Sequence, residues 1–207
     1  MFSISNNEKR NSKNQQSRDE IVGADYKHFV YDRPLRGPFP NNIKKIMLGM
    51  GCFWGVERKF WNLKGVCMTA VGYSGGKLEN PTYKDVCSSM TGHNEVVIVH
   101  YDPKEIMLET VLTTFWEGHD PTQGMRQGND IGPQYRSGIY AYGRDDYELA
   151  VSSREAYETL LRESGFGKVT TEIDEAKEFY YGEDYHQQYL AKNPNGYCGL
   201  GGTGVCL

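Results

Sequence analysis

The chain has 207 residues, enough for one substantial core, and 23 basic against 27 acidic side chains leave a net charge of −4. That charge gives no electrostatic case for binding nucleic acid or an anionic membrane, and no apolar run approaches membrane-spanning length. Five cysteines, an odd number in a chain without a secretory signal, argue against a secreted disulfide framework and for a cytoplasmic protein.

The first twenty residues, MFSISNNEKRNSKNQQSRDE, are polar, carry both charge signs and read as a disordered leader. Residues 21–42 include DRPLRGPFPNN, have no periodicity and read as an extended arm, so that 1–42 form a leader and arm. Regular structure is expected from Ile43, where IKKIMLG predicts a strand ending at Gly49. Phe53, Val56, Phe60 and Leu63 then form a helical stripe. GVCMTAVGYSGG predicts a second strand, NPTYKDVCSSMTGH a loop or short helix, and EVVIVHYD a third strand. Met107, Val111, Leu112, Phe115 and Trp116 mark a second helix ending at Gly118. HDPTQGMRQGNDIGPQY is a long glycine- and proline-rich loop, a kind that tends to be functional in a compact domain. RSGIYAYG predicts a fourth strand, Asp145 or Asp146 caps a third helix reaching about Ser164, and KVTTEID predicts a further strand. EFYYGEDYHQQYL reads as a short helix, and GYCGLGGTGVCL as a flexible tail.

From Ile43 to Tyr142 the order is β-α-β-β-α-β, that of a ferredoxin-like α+β two-layer sandwich with helices on one face. Residues 43–207 are expected to form one domain, with a mobile glycine-rich tail at 194–207. A monomer is the simple expectation.

Cys52, in GMGCFWGVE, sits between a strand end and a helix start. Unpaired N–H groups at a helix start favour a thiolate, so the cysteine pKa is expected to fall. A buried inert cysteine is the alternative; Gly49, Gly51 and Gly55 weigh against it, because they allow a ligand to approach closely. Cys198 and Cys206 lie among five tail glycines, a setting suited to thiols that must travel during disulfide exchange. A zinc site is the rival reading, but the Cys-x7-Cys spacing is not that of a chelating knuckle and no histidine is close in sequence.

GCFWGVE, GYSGG, NPTY, GHNEVV, HDPTQGMRQGNDIGPQYRS, YHQQYL and GYCGLGGTGVC, in that order from Ile43 to the C-terminus, resemble the A-type peptide-methionine sulfoxide reductases. The resemblance implies that Cys52 attacks the sulfur of the S-epimer of methionine sulfoxide, free or protein-bound. Methionine leaves and Cys52 becomes a sulfenic acid. Cys198 then resolves the sulfenic acid, Cys206 takes over the disulfide from Cys198, and thioredoxin reduces it. No cofactor or metal is implied.

By the same resemblance Glu95 supplies the proton that the sulfoxide oxygen needs. Apolar neighbours in EVVIVHY would raise its pKa, although a solvated strand-end glutamate is the plainer reading of the residue alone. Tyr83 and Tyr135 match phenols that donate to the same oxygen, and Asp130 matches a residue that holds substrate or water. Phe53 and Trp54 match the pocket for the substrate methyl group, but Phe53 also belongs to the helical stripe and could be core. Cys67 and Cys87 read as structural, Trp61 and Trp116 as core, and His186 in YHQQYL has no assigned mechanism. Two other readings remain open: a cysteine–histidine hydrolase, and a tyrosine-rich binding module whose tail cysteines hold zinc.

Overall fold

Alternation along three strands decides which side of the sheet carries the helices. The protein is described here from a computed structural model that covers Val22, Gly23 and residues 25–207. In chain order its elements are β1 (Lys44–Met50), α1 (Phe53–Trp61), β2 (Val66–Ser74), α2 (Tyr83–Cys87), β3 (Asn94–Tyr101) and α3 (Leu108–Gly118). There follow β4 (Arg126–Gln127), β5 (Asp130–Ile131), a 3-10 turn at Pro133–Tyr135, β6 (Ser137–Ala141), α4 (Arg144–Glu163), β7 (Glu172–Glu175), β8 (Tyr180–Tyr181) and α5 (Tyr189–Lys192).

The main sheet runs β7-β6-β1-β3-β2-β8, antiparallel except where β7 joins β6. Side chains alternate across each strand. Leu48 and Met50 of β1, Val71 and Tyr73 of β2, and Val97 and Val99 of β3 face one way, into a core shared with the helices. That core takes Phe53, Val56 and Phe60 from α1, Val111, Leu112, Phe115 and Trp116 from α3, and Tyr157 and Leu161 from α4. Met47, Met68, Ala70, Val96, Ile98 and Tyr140 face the other way and form a second cluster with Val22 and Leu35. The result is a mixed α/β fold with a mostly antiparallel sheet. Among the described residues no helix is long and apolar enough to cross a membrane.

The arm does more than lead into the first strand. Val22 and Leu35 are buried, Tyr26, Tyr31 and Phe39 pack beside them, and a bridge pairs Lys27 with Pro34. This segment covers the sheet face that the helices leave open. The leader expected over residues 1–20 lies outside the described residues.

Several local expectations change in the folded chain. Met107 is the residue before α3 and is 64% exposed, so the apolar stripe of that helix starts one residue later, at Leu108. Gly143 occupies the N-cap of α4, while Asp145 and Asp146 lie in its first turn, where negative charge suits the helix dipole. The stretch EFYYGEDYHQQYL is not one helix. Tyr180 and Tyr181 pair with Tyr73 and Gly72 at the open edge of β2, and only Tyr189–Lys192 is helical. An available strand edge outweighs a weak helical pattern there. The long loop also holds the β4–β5 hairpin and a 3-10 turn.

One buried carboxyl ties four segments together. Glu57 of α1 has no exposed surface. It accepts from the Thr69 hydroxyl at 3.2 Å and from the backbone and side-chain N–H groups of Gln188 at 2.7 Å each. Thr69 in turn bonds the His28 ring at 3.0 Å, and the Gln188 carbonyl oxygen takes the Phe29 N–H at 3.1 Å. Burial pushes the Glu57 carboxyl up to about 7 against the pull of these donors.

A folded-state pKa of about 7 against an ordinary 4.5 means that folding takes up a proton at Glu57. Its contribution to stability is therefore full below pH 4.5 and is lost as pH rises through about 7. Glu57→Ala strands several buried donors and is expected to destabilise the fold, with the deficit smaller at pH 8 than at pH 5 by on the order of 2 kcal/mol. Urea denaturation of parent and variant at the two pH values checks this; a deficit that grew with pH would contradict it.

Candidate active site

The chain leaves β1 through Gly51, whose φ of 92° lies in the left-handed region open to glycine. A side chain at Gly51 would also strike the Gln127 Cβ, 2.6 Å from its ideal position. This tight turn brings Cys52 to the N-cap of α1, half-buried. Glu95 arrives from β3, the strand that pairs with β1 in the same sheet. It pairs with Tyr73 in register and shares the helix-facing side of β3 with Val97 and Val99, so it lies beneath the start of α1. The Phe53 N–H donates to Glu95 Oε2 at 3.1 Å.

Glu95 is only 2% exposed, and burial pushes its carboxyl up to about 8. The Phe53 N–H pulls the other way, while the charges of Asp130 and Glu183 push it further up. Cys52 is also pushed up, first by burial and then by the Glu95 charge, with the Trp54 N–H opposing. This reverses the direction expected from the helix start. The free N–H groups there are shared between a carboxyl and a sulfur, and desolvation outweighs them.

Tyr83 is the first residue of α2, and Tyr135 is the last of the 3-10 turn. Burial raises both phenols, so both keep their protons. Tyr83 is hydrogen-bonded to the Cys87 sulfur and feels the charges of Cys87 and Glu95; Tyr135 feels Glu95, Cys87, Asp130 and Cys52. Asp130, in β5, accepts from the Tyr197 hydroxyl at 3.1 Å. Phe53 and Trp54 diverge. Phe53 is 1% exposed and packs in the core, its ring 5.1 Å from His186 and 5.9 Å from Tyr73. Trp54 is half-buried and stacks on Tyr189, with ring centres 3.9 Å apart.

The tail is irregular yet docked. An added Cβ at Gly55 would lie 2.9 Å from the Cys198 sulfur and 3.1 Å from the Leu200 Cβ. Gly55 is three residues beyond Cys52 on α1, hence on the same helical face, and its lack of a side chain leaves the space that Cys198 occupies. Leu200 and Val205 pack against the main core. The Tyr157 hydroxyl bonds Thr203 at 3.0 Å and the Val205 carbonyl at 3.1 Å, and the Leu207 N–H reaches Glu117 at 2.8 Å. Cys206 is exposed, and all five cysteines are free thiols. Cys67 donates to the His100 carbonyl at 3.3 Å. Cys87 is exposed beside Tyr83, closer to the site than its sequence setting indicates.

Residues not singled out from the sequence complete the arrangement. Glu183 accepts from the Tyr73 hydroxyl and the Tyr83 N–H, each at 2.8 Å. Tyr197 immediately precedes Cys198, a proximity that could have drawn attention to it. Glu183 lies in an irregular stretch with no periodicity, and nothing in its local sequence marks it. Among the described residues no group of three or more His, Cys, Asp or Glu is placed to hold a metal ion.

A sequence model described as peptide methionine sulfoxide reductase matches residues 44–203. The chain belongs to that family. A peptide methionine sulfoxide reductase MsrA from Brucella anthropi is 62% identical over 178 residues, 86% of this chain and 82% of the relative. The solved methionine sulfoxide reductase A of Corynebacterium diphtheriae has a TM-score of 0.80 and 42% identity, with 86% of each chain covered. Mxr1 from Saccharomyces cerevisiae in complex with Trx2 has a TM-score of 0.50 and 28% identity, over 73% of this chain and 87% of that one.

In this peptide methionine sulfoxide reductase family member, the Cys52 thiol and the Glu95 carboxyl titrate against each other. Above a pH of about 8 the carboxylate is ionised and holds the thiol up. Glu95→Gln removes that charge, and alkylation of Cys52 by iodoacetamide at pH 9 is expected to rise by roughly tenfold. Mass spectrometry of the Cys52 peptide measures the rate; equal rates would show that the thiol does not feel the charge.

Proposed function

We propose that this protein reduces the S-epimer of methionine sulfoxide, free and within proteins, to methionine, and that thioredoxin renews its thiols. The observation that carries this reading is a thiol and a buried, proton-holding carboxyl meeting at one helix start, where the Phe53 N–H binds Glu95 at 3.1 Å. Reduction of a sulfoxide needs a nucleophile for sulfur and a proton for oxygen, and this pair supplies both.

Near neutral pH Glu95 is protonated, since its pKa is raised to about 8. As the Cys52 sulfur bonds the substrate sulfur, Glu95 gives its proton to the oxygen and regains one from the thiol. The hydroxyl then passes to Cys52, the sulfur–sulfur bond breaks, and methionine leaves. Substrate sulfur gains two electrons and Cys52 loses two, becoming a sulfenic acid. Tyr83 and Tyr135 remain phenols and donate hydrogen bonds to the oxygen. Asp130, held by Tyr197, orders substrate or water at the rim. Trp54, half-buried, walls the substrate methyl, with Phe53 packed behind it.

Cys198 attacks the Cys52 sulfenic acid, giving a disulfide and water. Cys206 then attacks Cys198, moving the disulfide outward and freeing Cys52. The exposure of Cys206 supports its role as the thiol that meets thioredoxin, and a partner of that kind is named in the Mxr1 complex with Trx2. For Cys206 to reach its partner the docked tail must lift, which its glycines permit. The strand order β6-β1-β3-β2, with both crossover helices on one face, supports assignment of the core to the ferredoxin-like class. Residues 43–207 make up the catalytic unit in this reading, and the cytoplasm, where thioredoxin keeps thiols reduced, suits its cycle.

The parent protein is expected to turn over the S-epimer with thioredoxin or dithiothreitol and to leave the R-epimer untouched. Cys52→Ser should release no methionine, and Cys198→Ser, with thioredoxin as the sole reductant, about one equivalent per enzyme before stalling as the Cys52 sulfenic acid. Turnover by Cys52→Ser would end this assignment.

Gly55→Ala separates the two half-reactions. Alanine favours the helix by about 1 kcal/mol, yet its methyl needs the space held by the Cys198 sulfur. The first methionine is expected at the parent rate, while Cys52–Cys198 disulfide formation slows by about tenfold or more. Rapid-quench mass spectrometry follows both steps.

A further inference from the structure

The Trp54 indole is held from one side by a single segment, residues 183–192. Its N–H donates to His186 Nδ1 at 3.0 Å, and its ring lies on Tyr189 at 3.9 Å with an interplanar angle of 18°. Because Nδ1 accepts, it carries no proton, so the neutral imidazole has its hydrogen on Nε2. His186 is 1% exposed, and among the described residues Nε2 has no hydrogen-bond partner; Glu183 Oε2 lies 4.0 Å from it. The rings of Phe53, Tyr83 and Tyr185 enclose it at 5.1, 4.6 and 4.2 Å. Burial holds its pKa down at about 4, which keeps Nδ1 an acceptor near neutral pH.

The segment itself cannot slide along α1. Gln188, in the left-handed conformation at φ 49°, gives its backbone and side-chain N–H groups to Glu57, three residues beyond Trp54 on the same helix. Two independent links therefore join α1 to this segment: Trp54 to His186 and Tyr189, and Glu57 to Gln188. An unanchored indole would have several rotamers open to it, and each would change the shape of the apolar wall.

We propose that His186 is a positioning residue for substrate affinity: by accepting the Trp54 indole N–H it fixes the wall against which the methyl group of the sulfoxide packs. The proposal rests on the reading of Trp54 as that wall. It assigns His186 no proton transfer and no contact with the reacting atoms. Losing the acceptor weakens binding and leaves the chemical step nearly intact.

The test compares three substitutions, because an Asn amide reaches the position of Nδ1, a Gln amide does not, and Phe keeps the ring without an acceptor. The readout is the rate of first methionine release against substrate concentration, which separates half-saturation from the limiting rate. His186→Phe and His186→Gln are expected to raise half-saturation by about tenfold, the worth of one hydrogen bond, with the limiting rate within about threefold. His186→Asn should restore it to within about threefold of the parent. The Trp54 indole N–H resonance, identified by its loss in Trp54→Phe, should move in the Phe and Gln variants and return in Asn. Asn failing along with Phe and Gln, or a fall confined to the limiting rate, would overturn the proposal; if the Phe variant does not fold, the Asn–Gln comparison decides it. Trp54→Phe tests the underlying reading separately. Unchanged half-saturation in Trp54→Phe removes the wall, whereas a rise there without one in His186→Gln removes only the role of His186.

Discussion

One backbone N–H, that of Phe53, organises the chemistry at the head of α1, because it is given to the Glu95 carboxyl at 3.1 Å. A helix start commonly offers its unpaired donors to an anion. Here a carboxyl and a sulfur compete for them in a place that water barely reaches. The carboxyl keeps its proton up to a pH of about 8, and the thiol is pushed up by burial and by the carboxylate charge. The two groups form one coupled titrating unit, and the Cys52 thiol ionises more readily while Glu95 is neutral.

The rest of the fold keeps this pair in register. Strand alternation sends Glu95 to the helix side together with Val97 and Val99, while Val96 and Ile98 turn to the opposite face. Residues 22–42 close that opposite face, and through the Phe29 N–H and His28 they reach Gln188 and Thr69, the partners of Glu57. A segment distant in sequence from the site thereby helps to hold the helix that carries Cys52. Glu183 does similar work on the far side, fixing Tyr73 and Tyr83 through one carboxylate.

Much of the frame was legible in the sequence. The stripe Phe53, Val56, Phe60 and Leu63 was read as a helix, which in the folded chain ends at Trp61 before Leu63, and the run EVVIVHY was read as a strand, which it is. Other elements depend on partners that a local pattern does not contain. Tyr180 and Tyr181 become a strand because β2 has an open edge. Gly143 precedes α4 although two aspartates lie next to it, and Phe53 turns inward although it flanks Cys52. Cys198 comes to rest over Gly55 through contacts of Leu200, Thr203 and Val205 that no spacing encodes.

By itself, then, the sequence determined what is local: the periodicity that marks the main strands and helices, and the glycine-flanked cysteines at 52, 198 and 206. Tertiary structure alone decided the direction in which Cys52 titrates, the neutrality of Glu95 and the partner of His186. The reason is physical. Periodicity and backbone preference act between neighbours along the chain, whereas desolvation and charge coupling sum over every group that packs nearby, and those groups come here from residues as far apart as 52, 95, 130 and 198.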